Sequence, residues 1–97
     1  MASNFRIYSD KIDNNRVALK LFGDFDGTSA WELIHQLKSL SKKTPFIIID
    51  TRGLREIVPF GQDVFSLNVK ALKSNSTQFF MTGKKAVLLA PNGLFSA

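Results

Sequence analysis

The chain has 97 residues, of which 44% are hydrophobic and 22% charged, with a formal net charge of +5 and no cysteine. That is enough for one domain spanning 1–97 with a modest core, and it excludes disulfides and cysteine-based metal or redox chemistry. A single histidine, His35, excludes a histidine cluster for zinc, and no apolar run approaches the ~20 residues of a membrane-spanning helix.

The first residues, Met1 to Arg6, contain no apolar signal core, so a cytoplasmic protein is expected. The basic residues are scattered, and aromatic residues do not alternate with lysines along any strand. The positive charge therefore reads as a solvated surface and not as a nucleic-acid site. The nine phenylalanines are expected to supply most of the core volume.

Phe5 to Tyr8 alternates briefly as a weak strand, and Asp13-Asn14-Asn15 signals a turn. Val17, Leu19 and Leu21 then share one face of a second strand, which makes an antiparallel hairpin with the first. Gly23 to Gly27 breaks the pattern. Ser29 with Glu32 three residues on fits a capping box, and Asp26 competes as the cap one turn earlier. Ala30, Leu33, Ile34, Leu37 and Leu40 recur at helical spacing, which predicts a helix over 28–41 that ends before Pro45.

Phe46 to Asp50 is a continuous apolar run with a polar end, a strand buried on both faces. The segment from Asp50 to Val58 reads as the loop from that strand to a second helix, and Pro59 suits the helix's first position. Phe60, Val64, Leu67 and Ala71 make one stripe of this helix, and Phe65, Val69 and Leu72 make another. Because one stripe suffices to anchor a helix, the second is a candidate homodimer contact, a partner site or a deeper core. A loop at 74–76, a strand at 77–82 and a short helix at 84–90 follow, with Pro91-Asn92-Gly93 ending regular structure. The order β-β-α-β-α-β-α predicts an α/β fold: a mixed sheet of about four strands with helices packed on it.

Three segments resemble the STAS domain, the family of bacterial anti-sigma factor antagonists and of the cytoplasmic tails of sulfate transporters. Val17 to Asp26 resembles the family's strand with its Gly-Glu-apolar-Asp turn. The helix over 28–41 has the family's leucine pattern. Phe46 to Leu54 resembles the strand-Asp-apolar-Ser-x-apolar segment, and Gly61 falls on the glycine that follows the family's Asp-Ser-Ser or Asp-Thr-Ser. The resemblance covers about residues 5–90. It implies a non-catalytic module that binds a protein partner, either an anti-sigma factor that is also a serine kinase or a transporter ATPase to which the chain would be an accessory subunit. A third implication is a nucleotide- or lipid-binding module, although no glycine-rich phosphate loop is present.

The resemblance also implies a partner-binding surface at Asp24, Phe25, Asp26, Val58, Pro59, Phe60, Gly61 and Asp63. The residue before the family's glycine is usually a phosphorylatable serine or threonine, and here it is Phe60. No phosphorylation is expected at that position, and binding is expected to be constitutive or regulated through the partner. Phe60 itself reads in two ways, as a core residue at the helix start or as an exposed apolar contact.

No cofactor or metal is expected. Asp24 and Asp26 read as a helix cap and a solvated carboxylate. Asp24, Asp26, Asp50, Thr82 and Lys84 superficially suggest a phospho-acceptor receiver, but a single helix between the acidic pair and Asp50 disfavours it. His35 is expected to pack beside Trp31 at i, i+4 of the first helix, and Lys84-Lys85 to be solvated.

Overall fold

The computed structural model describes residues 4–72 and 77–89. The strands are β1 (Arg6–Lys11), β2 (Arg16–Phe25), β3 (Phe46–Ile57) and β4 (Gln78–Thr82). The helices are α1 (Gly27–Leu40), α2 (Pro59–Leu72) and α3 (Ala86–Leu89). The predicted order holds among these residues, while the expectations at 74–76 and 90–93, and for Phe95, lie outside them.

The four strands form one mixed sheet in the order β1-β2-β3-β4. β1 pairs antiparallel with β2, and β2–β3 and β3–β4 pair parallel. The hairpin turn is closed by the Asp13 carboxylate, which accepts from the Asn15 backbone N–H at 2.8 Å and pairs with Arg16 at 2.7 Å. The two parallel connections step across the sheet in the same direction. Right-handed crossovers then place both connecting helices on one face, and the residues pointing to that face form the core. Leu19, Leu21, Ile47, Ile49 and Met81 meet Leu33, Leu37, Phe65 and Val69 there, all essentially without exposure.

The opposite face carries Tyr8, Phe22, Phe46, Ile48 and Phe80, with Phe46 and Phe80 stacked at 6.1 Å. The phenylalanines are therefore divided: Phe5, Phe25, Phe65 and Phe79 are core, while Phe22 and Phe60 are exposed.

Several sequence expectations are corrected. β3 does not end at Asp50. It continues to Ile57 because β2 also runs on, through Gly23 and Asp24 to Phe25, and supplies an edge for it to pair with. Register shifts between Lys20 and Phe22 and between Gly23 and Phe25 hid this pairing, since each interrupts the two-residue periodicity. The N-cap of α1 is Asp26, whose carboxylate accepts from the Ser29 backbone N–H at 2.9 Å. Ser29 does not cap; its hydroxyl is buried and donates to the Asp24 carbonyl at 3.0 Å. The second stripe of α2, Phe65, Val69 and Leu72, is core, so the deeper-core reading holds for these residues. In the other stripe only Val64 is buried, and Leu67 is 74% exposed.

Candidate functional site

The extension of β2 and β3 determines where the two long helices begin. β2 ends at Phe25 and β3 at Ile57, which are register partners, so α1 and α2 start side by side at one end of the sheet. The Val58 N–H donates to the Phe25 carbonyl at 2.9 Å and fastens the two starts together.

Two glycines permit the approach. A Cβ at Gly61 would lie 2.6 Å from the Asp26 carbonyl carbon and oxygen, so the first turn of α2 rests directly on the backbone of the α1 cap. A Cβ at Gly27 would lie 2.7 Å from the Phe60 ring, so the ring lies across the first residue of α1. Even so, Phe60 is 68% exposed. The core reading of Phe60 is thereby excluded. The cause is the register of α2, in which Gly61, Val64 and Phe65 point inward and Phe60 points out along the helix start.

Asp24 completes this end. Its backbone N–H donates to Asn4 Oδ1 at 3.2 Å, and its Oδ2 accepts from Asn4 Nδ2 at 3.3 Å. Oδ1 is shielded from solvent and makes no hydrogen bond, with Arg55 Nε at 3.9 Å as a long ion-pair partner. Buried polar atoms usually find partners, so this oxygen keeps an unused acceptor capacity beside an exposed guanidinium.

The structure brings together Asp24, Asp26, Val58, Pro59, Phe60 and Gly61. Val58, Pro59, Phe60 and Asp63 are exposed, and Asp24 and Asp26 are partly so. Two predicted contact residues are corrected. Phe25 has no exposure, because it points into the core between Phe5 and Phe65 at ring distances of 5.8 and 6.1 Å. Gly61 is buried beneath the α1 cap and shapes the site without offering a surface. Sequence reasoning passed over Arg55, which it placed in a loop; its position across the sheet from Asp24 depends on the unrecognised strand extension.

The receiver-like set converges only in part: Thr82 is the register partner of Asp50 on β4, but the acidic pair lies away from them. Asp50 pairs in register with Lys20, and Asp24 lies four residues further along the same strand, ~13 Å away at strand spacing. Asp50 is engaged with Arg52 through three side-chain hydrogen bonds, the shortest 2.8 Å. That pairing holds the Asp50 carboxyl below the ordinary aspartate value against a smaller opposing effect of burial. Among the described residues, no three His, Asp or Glu side chains are grouped to share a metal ion, and no helix is long and apolar enough to cross a membrane.

No protein-family model matches this sequence, and no curated protein is significantly similar to it. Solved structures do match the fold. A structure of Mglu superposes with a TM-score of 0.69 at 15% identity over 80% of this chain, which spans 19% of the Mglu chain. The anti-sigma factor antagonist SpoIIAA in its unphosphorylated form gives 0.64 at 12% identity, covering 95% of this chain and 88% of its own. An anti-sigma factor antagonist from Mycobacterium paratuberculosis gives 0.59 at 15% identity, covering 81% and 68%. The mixed four-stranded sheet with its helices thus has the STAS-like fold of the anti-sigma factor antagonists.

Proposed function

We propose that this chain is a non-catalytic regulatory module that binds a protein partner through the joined starts of α1 and α2, and that it does so without a phosphorylation switch at position 60. The carrying observation is Phe60, a large apolar ring exposed on the rigid end of a helix and braced against Gly27. A preorganised aromatic anchor suits a protein contact because it loses little conformational freedom on binding. Around it, Val58 and Pro59 extend the apolar area. The partly exposed Asp24 and Asp26 and the exposed Asp63 offer carboxylates to a partner's basic residues. The resemblance to anti-sigma factor antagonists suggests the class of partner, an anti-sigma factor of the serine-kinase type. A transporter ATPase served by the same surface is the alternative, and identifying the captured protein separates the two.

In relatives with a hydroxyl at this position, a dianionic phosphate at the helix start would repel an apolar contact. Phenylalanine cannot accept one, so binding is constitutive. The test is affinity capture from the native host with wild-type and Phe60→Asp baits. Loss of a hot-spot aromatic costs about 2 kcal/mol or more, so the partner should be retained by the wild type and lost by the variant. Equal capture by both would remove Phe60 from the interface. Residues 58–63 contain no hydroxyl, so the test looks across the whole chain: stoichiometric phosphate on any serine or threonine after treatment with a cognate kinase and ATP, with loss of capture, would overturn the constitutive reading.

A further inference from the structure

A second surface lies on the helical layer below the site. α1 and α2 run side by side from their joined starts, and between them is an open groove of about 450 Å³. Ile34 and Leu72, only 5% and 6% exposed, lie at its base, and the exposed Ala71 lines its α2 side. Trp31 forms one rim, 45% exposed, with its ring 6.0 Å from His35. Lys38 and Lys42 stand at the other end, and no residue lining the groove is acidic. Neither lysine has a carboxylate within ion-pair distance among the described residues, whose ion pairs all lie on the strands and the β1–β2 turn. Trp31 and Lys38 fall on one face of α1 at seven-residue spacing, about two helical turns, and Lys42 follows in the turn after the helix ends.

We infer that this groove docks an acidic amphipathic helix of a partner protein. The inference rests on the reading of the chain as a protein-binding module, and it supplies the chemistry of one partner segment. The choice of occupant follows from charge complementarity. An apolar trough bordered by two unpaired ammonium groups favours a ligand with apolar anchors on one face and carboxylates beside them. A groove between two helices suits a docked helix that presents apolar anchors at i, i+3 and i+4. Basic or neutral helices would leave both ammonium groups without a counter-charge.

The experiment uses the full chain as bait for a display library of 15-residue amphipathic helices whose polar positions are randomised. Enriched clones should be net acidic. As free peptides they should shift the fluorescence of Trp31, the single tryptophan. Their affinity should fall about tenfold or more in the Lys38→Glu/Lys42→Glu variant, with salt weakening the wild-type complex. Neutral or basic enriched clones, an absence of clones above background, or affinities unchanged by the double charge reversal would each overturn the proposal. Circular dichroism confirms that the variant is folded. Phe60→Asp keeps the groove intact and should bind the peptides like the wild type, so failure at the helix starts and failure in the groove read out separately.

Discussion

Gly27 and Gly61 have the same side chain and face the same site, yet substitution at each meets different atoms. A methyl at Gly61 would strike the Asp26 backbone, which cannot rotate away without moving the cap of α1. A methyl at Gly27 would strike the Phe60 ring, the free end of an exposed side chain. Gly61→Ala should therefore cost about 1–3 kcal/mol, the range for overpacking a tight contact, as measured by urea denaturation. Gly27→Ala should leave stability within about 1 kcal/mol of wild type, since the gain in helix propensity offsets the ring's displacement. The same substitution should weaken partner binding by moving Phe60. At this scale the sequence named Phe60 and Gly61 but could not say which way they point, because helical phase is decided only when α2 settles on the sheet.

The elements are tied together by a few buried polar groups, and Thr77 is the clearest. Its hydroxyl is buried between the end of α1 and the start of β4, at 2.8 Å from the Ser41 carbonyl and 3.0 Å from that of Thr44. One hydroxyl proton can serve only one of them at a time, and the pair fixes where β4 enters the sheet. Thr77→Val keeps the shape and removes the donor. It should lower stability by about 1–3 kcal/mol in chemical denaturation, with the fold retained. Thr51 makes a similar tie from β3, donating to the Thr82 carbonyl at 2.7 Å. Helices and turns were legible in sequence because their signals are local: Asp13 closes its turn within three residues, and Leu33 and Leu37 mark a face of α1. The length of β3 was not legible, since Thr51 to Ile57 becomes strand only by pairing with residues some thirty positions earlier.

Across the whole molecule, the helices cover one face of the sheet, and the other carries the Asp50–Arg52 pair beside Phe22 and Gly53. A carboxyl lowered in the folded state stabilises that state above its unfolded value, and the contribution is lost as pH falls through the lowered folded value. Arg52 is 77% exposed, so solvent screening keeps the pair's contribution small. Arg52→Ala should raise the Asp50 carboxyl toward its ordinary value in an NMR titration. The stability gap between wild type and variant should be present near neutral pH and close in acid below the folded value. An unchanged Asp50 titration would show that the guanidinium is not what lowers it.

Composition and periodicity alone determined the class of fold, the order of seven elements and the mixed sheet. Each of these follows from short-range patterning and from the handedness of crossovers. The sequence also pointed to the two segments that meet at the helix starts. Tertiary structure alone decided that Phe25 is core, that Phe60 is exposed, that the second stripe of α2 faces inward, and that a basic-rimmed groove runs between α1 and α2. Those outcomes depend on helical phase and on pairing between distant strands, which the packing of the whole chain resolves and no local window contains.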